Sequence, residues 1–320
     1  MYSDAEMNGE TYFLGVDIGG TNLRIALANE AGTILARELA TTKDIRDAGL
    51  VVAAIRDGAA RLLQQTGITM SQVKAIGAGA PGITNASTGV VIATSYLMGW
   101  RDVSLAAMLQ TELEIPAAVD NDVNLAALGE SCFGAARGVA DFVFIALGIG
   151  VGAGIMLRGE LFQGAQWTAG EIGYMLVPGV STEPIDIGKP GALESIAGGE
   201  GIRTQWQAVW NSSLTGLSRD LTATEVFDGA LDGDSLAVSI LERTAHTLAY
   251  AIFNLALTLN ASVFILGGSV GMHPALRDRV QVILDLHSRR LRPQLILSDL
   301  GGDAQILGAI RLAQLTALNS

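Results

Sequence analysis

Apolar residues along this chain fall into two kinds of run. Short β-rich segments end abruptly in glycine, and longer segments carry apolar positions at helical spacing. The stretch "TYFLGVDIGGTNLRIALANEAGTILARELAT" reads as strand, glycine turn, strand, turn and strand, its apolar segments broken by "GG" and "EAG". Residues 46–66 show helical spacing and end at Gly67. "VKAIGAGAPG" predicts a short strand running into a Pro-Gly loop, "SLAAMLQTELE" a helix, "IPAAVD" a strand, and "NDVNLAALGESCFGAA" a helix opened by Asn and Asp. About 130 residues after the first glycine turn, "DFVFIALGIGVGAGIMLRGELF" repeats the strand, glycine turn, strand and turn. Setting Asp17-Ile18-Gly19 on Gly148-Ile149-Gly150 brings the two hairpins into register, which predicts two related α/β halves. An irregular stretch follows to about residue 190, then helices near 192–210, 235–260 and 274–291, with a strand "SVFILGG" between the last two. "AQILGAIRLAQL" predicts the closing helix.

Composition narrows the class. A length of 320 residues corresponds to about two domains, and 49% hydrophobic against 16% charged residues supplies a large core. Mean hydropathy is +0.39, yet no apolar run reaches the roughly 18 residues of a membrane span without a break. "MYSDAEMNGE" lacks the basic and apolar regions of a signal peptide, so a cytoplasmic protein with no membrane partner is expected. Thirty-two acids against 20 Lys and Arg give a net charge of −12, which repels phosphodiester backbones and argues against a nucleic-acid partner. Cys132 is the single cysteine, which excludes an intrachain disulfide and any multi-cysteine metal site. His246, His273 and His287 show no metal-ligand spacing. Glycine is the outlier, at 39 residues, many clustered after apolar runs where a strand ends and backbone can approach a ligand.

Four stretches carry candidate chemistry. In Asp17-Ile18-Gly19-Gly20-Thr21 the glycines let backbone N–H groups approach phosphate oxygens, and Asp17 fits a Mg²⁺ partner acting through water; a hairpin turn with an incidental acid is the alternative. Gly148, Gly150 and Ala153 fit the spacing of a dinucleotide fingerprint, but "AGIMLRGEL" continues as strand where that fingerprint needs a helix, so a second phosphate loop is expected. Asp120, Asn121 and Asp122 stand between a strand end and a helix start. One of them could simply cap the helix. A carboxylate held at Asp122 could instead accept a hydroxyl proton during phosphoryl transfer, and Asn121 offers a donor and an acceptor to a neighbouring hydroxyl. Gly267-Gly268 ends the strand "VFILGG", where a ring or ribose could lie over backbone.

Taken together, "LGVDIGGTNLRIAL", "GAGAPGIT", "VDNDVNLAALGE", "LGIGVGAGIMLRGELFQGA", "AGEIG" and "ILGG" resemble, in order and spacing, the ROK family of sugar kinases and related repressors over residues 12 to 315. The resemblance implies an α/β fold of the actin-like, hexokinase-like (ribonuclease H-like) ATPases, two domains around a central cleft. Residues 1–122 would form the N-terminal domain, with a C-terminal helix over 305–320 packing back on it, and residues 123–304 the larger C-terminal domain. It also implies ATP between the two glycine turns, held by Asp17, Gly19, Gly20, Thr21, Gly148, Ile149, Gly150, Gly267 and Gly268, with Mg²⁺. Asp122 would match the catalytic base, and Gly82, Asn121, Asp122, Glu171, Tyr174 and Glu194 the sugar-binding positions. The implied partner is a small sugar, phosphorylated at O6, in a cytoplasmic homodimer.

Two departures from the family pattern stand out. Placing the last acid of the zinc motif C-x-C-G-x-x-G-C-x-E on Glu194 puts Ile185, Ile187 and Ala192 at its cysteines, while Gly188 and Gly191 match its glycines. The family's ligating histidine is Tyr174, so no structural zinc is expected. Ile149 stands where relatives carry the threonine of "LGTG", which keeps open a sugar-binding protein without catalysis. A sugar-responsive regulator fits less well, because about 11 residues precede the first strand and the charge is acidic.

Overall fold

The computed structural model describes residues 11–43, 45, 47–95, 97, 99–179, 189–287 and 291–319. The chain divides into two compact units, each with its own core: residues 1–137, 163–168 and 302–320, and residues 138–162 and 169–301.

The first unit is built on a five-stranded sheet. Strands β1 (Tyr12–Ile18), β2 (Asn22–Asn29) and β3 (Ile34–Thr41) form an antiparallel meander; β4 (Val73–Ala80) runs parallel to β1, and β8 (Ala117–Asn121) parallel to β4. Every residue of β1 is buried, as a central strand covered on both faces requires. Helix α1 (Ala48–Thr66) starts at Asp47, whose side chain accepts from Gly49 N–H, and stops at Gly67 in the left-handed conformation. It packs with α2 (Leu105–Leu113) in a core around Leu14, Val16, Ile25, Ile55, Leu62 and Leu109. The three short strands β5 (Ile83–Asn85), β6 (Val90–Ala93) and β7 (Arg101–Val103) make a separate small sheet. Helices α3 (Asp122–Phe133) and α10 (Ala304–Leu318) pack against each other and on β4, which keeps α3 in this unit rather than in the one that follows.

The second unit repeats the plan. Strands β9 (Phe142–Leu147), β10 (Val151–Leu157) and β11 (Glu160–Leu161) are antiparallel; β12 (Val263–Gly267) runs parallel to β9, and β13 (Gln294–Leu297) parallel to β12. The orders β3-β2-β1-β4-β8 and β11-β10-β9-β12-β13 are the same topology. The expected internal duplication is therefore present as strand order and direction. Its core gathers Phe264, Trp206, Phe227, Leu248 and Ile252 from α5 (Gly199–Val209), α6 (Ala223–Leu231), α7 (Ser235–Leu259) and the sheet. A four-residue helix, α4 (Glu194–Ala197), precedes α5. Gly198 between them is extended at φ −74°, ψ 152°, so the single helix expected over 192–210 is broken there. The unit is completed by the four-residue α8 (Gly268–Gly271) and by α9 (Pro274–His287). Among the described residues no helix is long and apolar enough to cross a membrane.

Candidate active site

In the first unit, the turn between β1 and β2 presents donors rather than acceptors. Gly19 C=O accepts from Thr42 Oγ1 at 2.6 Å, and Thr21 C=O from Thr42 N–H at 2.9 Å and Thr41 Oγ1 at 3.0 Å. With the Gly19 and Thr21 carbonyls tied to Thr41 and Thr42, the exposed turn leaves the N–H groups of Gly20 and Thr21 and the Thr21 hydroxyl without acceptors among the described residues. Such a turn suits phosphate oxygens.

Asp17 is paired across the ladder with Arg24, whose Nε and Nη2 donate to Asp17 Oδ2 at 2.8 and 2.6 Å. Arg24 also donates through Nη1 to the Gly302 carbonyl and through Nη2 to Gln305 Oε1 at 3.4 Å. The sequence predicts Asp17 as a partner of Mg²⁺ through water. One of its oxygens accepts from the Arg24 guanidinium, and Oδ1 is the oxygen without a partner among the described residues.

The junction of β8 and α3 holds the Asp-Asn-Asp stretch. Asn121 is the N-cap, its Oδ1 accepting from Val123 N–H at 2.9 Å and Asn124 N–H at 3.1 Å. Its Nδ2 donates to Gly82 C=O at 2.9 Å. The residue expected to offer a hydroxyl both a donor and an acceptor therefore keeps one amide hydrogen for that purpose, because its oxygen caps the helix. Gly82 has φ +93°, and a Cβ there would overlap the Ala93 carbonyl oxygen. Asp122 is the first residue of α3, partly exposed, with Oδ1 3.0 Å from Val123 N. The helix N-terminus favours its anionic form. A Cβ on Gly79 of β4 would stand 3.4 Å from Asp122 Cα, so that strand approaches the junction closely.

In the second unit the turn between β9 and β10 repeats the donor arrangement. Gly148 C=O accepts from Gly199 N–H at 2.8 Å, Ile149 C=O from Glu200 N–H at 3.3 Å, and Gly150 C=O from Gly148 N–H at 3.1 Å. The N–H groups of Ile149 and Gly150 have no acceptor among the described residues, and Ile149 is 76% exposed. Gly267 and Gly268 have packing explanations. A Cβ on Gly267 would overlap the Phe144 ring, and one on Gly268, at φ +79°, would overlap Leu147 C=O.

The "AGEIG" turn lies along β10. Ala153 N–H donates to Gly170 C=O at 2.8 Å, and Gly170 has φ +94°. Glu171 precedes the one-turn helix Ile172–Tyr174. Glu194 opens α4 and accepts from Val151 N–H through Oε2 at 2.9 Å. A Cβ on Gly173 would come within 3.3 Å of that oxygen, so the turn and Glu194 pack closely. Gly191 in turn lies against Gly173 and Tyr174. Burial pushes the Glu171 carboxyl above the ordinary glutamate range, and the negative charge of Glu194 adds to the shift.

A family model described as "ROK family" matches residues 13–316. The chain belongs to the ROK family.

Within that family the chain is 37% identical over 270 residues to a glucokinase of Halalkalibacterium halodurans, covering 82% of this chain and 81% of the relative. It is 32% identical over 311 residues to an N-acetylmannosamine kinase of Shigella boydii, covering 94% of this chain and 98% of the relative. A solved ROK glucokinase of Streptomyces griseus, in complex with glucose and AMPPNP, superposes with a TM-score of 0.77 at 28% identity, covering 96% of this chain and 100% of that one. The fold is the two-domain actin-like ATPase fold that the sequence resemblance implied.

For this ROK chain the zinc question divides. No group of three or more His, Cys, Asp or Glu able to hold a metal occurs among the described residues. Ile185, Ile187 and Gly188, which occupy three of the motif positions, lie outside the described residues. Ala192 packs on the core of the second unit.

The Glu171 shift makes a prediction about stability. A carboxyl whose folded pKa is raised binds its proton more tightly in the folded state. It therefore stabilises the fold below the unfolded value of about 4.3 and loses that contribution as pH rises through the folded value. Well above the unfolded value, burying this carboxyl is thus a cost. Glu171→Gln is expected to raise Tm at pH 8, with a smaller gain near pH 4.5, in thermal unfolding monitored by circular dichroism. A variant less stable than the parent at pH 8 would contradict the assignment.

Proposed function

We propose that this chain is a sugar kinase that transfers the γ-phosphoryl group of ATP to O6 of a glucose-type hexose, with Asp122 as the base. The observation that carries the reading is the fixed carboxylate at the start of α3, with its backbone anchored by the Asn121 cap. Asp122 accepts the hydroxyl proton as that oxygen bonds to phosphorus and the bond to the leaving diphosphate breaks. Phosphoryl transfer is loose, so alignment of the hydroxyl matters more than the strength of the base. The remaining amide hydrogen of Asn121 donates to the sugar, and Glu171 and Glu194 accept from its hydroxyls. Tyr174 supplies a neutral hydroxyl in place of the family's histidine. The two glycine turns fit the phosphates of ATP, since both carry outward N–H groups. Oδ1 of Asp17 would face the hydration shell of Mg²⁺, which when bound neutralises phosphate charge. The glucokinase relatives support glucose as the substrate.

A second reading takes an N-acetylated hexosamine as substrate, favoured by the relative aligned over 94% of this chain. Purified protein with Mg-ATP, assayed for ADP release on glucose, mannose, fructose, allose, N-acetylglucosamine and N-acetylmannosamine, decides between them. Glucose is expected to give the highest kcat/KM; preference for N-acetylmannosamine would establish the second reading. No turnover with any sugar would leave a sugar-binding protein without catalysis. The reading also places a homodimer in the cytoplasm, which light scattering checks for assembly.

A further inference from the structure

Asp120, immediately before the proposed sugar and base residues, is a buried carboxylate with 2% exposure. Among the described residues, every hydrogen bond it accepts comes from a neutral group. Oδ1 takes the Asn121 N–H at 2.7 Å and the Asn124 side-chain amide at 2.9 Å, and Oδ2 takes Gln163 Nε2 at 2.7 Å. Two of these donors are local to the β8–α3 junction. Gln163 is distant in sequence by 43 residues, and is the residue at which the chain re-enters the first unit after β11.

Burying a carboxylate away from any cation is costly, and burial raises the Asp120 pKa while the three donors lower it. The helix does not require this arrangement, because Asn121 already caps α3 with its own side chain. An apolar residue at 120 would fill the core at lower cost. What the carboxylate adds is a single acceptor point that gathers the backbone of residue 121, the side chain of residue 124 in the first turn of α3, and an amide from another segment. Asp122 lies between the two local contacts.

We propose that Gln163 is a positioning residue for phosphoryl transfer. Its amide holds the Asp120 carboxylate, and through it the backbone at Asn121 and the first turn of α3, so that Asp122 meets the sugar hydroxyl at a fixed angle. Gln163 touches neither substrate nor base; it acts through Asp120. The inference rests on the reading of Asp122 as the base.

Three variants and one control test it by steady-state kinetics with thermal unfolding alongside. Gln163→Leu keeps the bulk and removes the donor. Its kcat is expected to fall on the order of 10- to 100-fold with the sugar KM changed by less than about threefold, the pattern of lost alignment rather than lost binding. Gln163→Glu places a second carboxyl against Asp120 Oδ2. Two carboxyls in contact share one proton, so kcat is expected to approach the parent value at acidic pH and to decline as the shared proton is lost. The parent has no second carboxyl at this position. Asp120→Asn is expected to retain kcat within severalfold, because the Gln163 amide can turn over and accept from the new amide.

A Gln163→Leu protein that folds, loses stability and keeps the parent kcat would reduce the residue to a structural tie and overturn the proposal. Should Gln163→Leu fail to fold, the pH profile of Gln163→Glu decides: a profile superimposable on the parent's overturns the proposal, and the added acidic-to-neutral decline supports it. Asp122→Ala is the control. Full activity in that variant removes the base assignment itself, whereas an inactive Asp122→Ala beside an unaffected Gln163→Leu removes the positioning role alone.

Discussion

Asp122→Ala is expected to lower kcat by about 10²- to 10⁴-fold, the range that a positioned general base contributes. The sugar KM should change little, because the remaining hydroxyl contacts are assigned to Asn121, Glu171 and Glu194. The substitution is mild for the fold. Asp122 occupies the first position of α3, the cap belongs to Asn121, and alanine is a good helix former. ADP release at saturating sugar and Mg-ATP gives kcat, and equilibrium binding of the sugar to the variant gives the ground-state contribution. A variant that binds sugar normally and turns over at the parent rate would take the base role away from Asp122.

The second large effect is expected at a residue with no proposed contact to substrate. Gly308→Val should lower Tm by on the order of 10 °C, corresponding to about 3 kcal/mol of overpacking. A Cβ on Gly308 of α10 would overlap the Leu125 carbonyl oxygen of α3, and one on Gly129 of α3 would overlap the Ala304 carbonyl oxygen of α10. The two helices meet backbone to backbone, with no side-chain layer between them to absorb the added methyl groups. Since α3 begins at Asp122, a shift of α10 should also depress kcat in whatever fraction stays folded. Differential scanning calorimetry of the parent and Gly308→Val reads the first effect; unchanged Tm would show that the helices can separate without cost.

Much of the fold was legible because its signals are local. The run from Tyr12 to Thr41 showed three strands since its apolar segments are interrupted at both turns. Helix α1 stops where the sequence predicts, at Gly67 in the left-handed conformation, while its cap Asp47 lies just inside the expected start at residue 46. The small sheet of β5, β6 and β7 was missed, because strands of three or four residues carry too little alternation to stand out from loop. Helix α6 was missed too, although Thr222 and Glu225 form a capping box that marks its start. The expected helix over 192–210 ignored Gly198, whose extended backbone divides it.

The sequence by itself determined where the backbone could turn, which residues could cap, and, through the combination of six motifs, the family. These depend on neighbours within a few positions. Tertiary structure alone decided how the polar groups are spent. It joins Asp17 to Arg24 and Arg24 to Gly302, commits the oxygen of Asn121 to its own helix and its amide to Gly82, and brings Gln163 onto a buried Asp120. A hydrogen bond is directional and each atom has few of them to give. Which partner a side chain takes is therefore set by what folding brings within about 3 Å, and sequence spacing does not encode that.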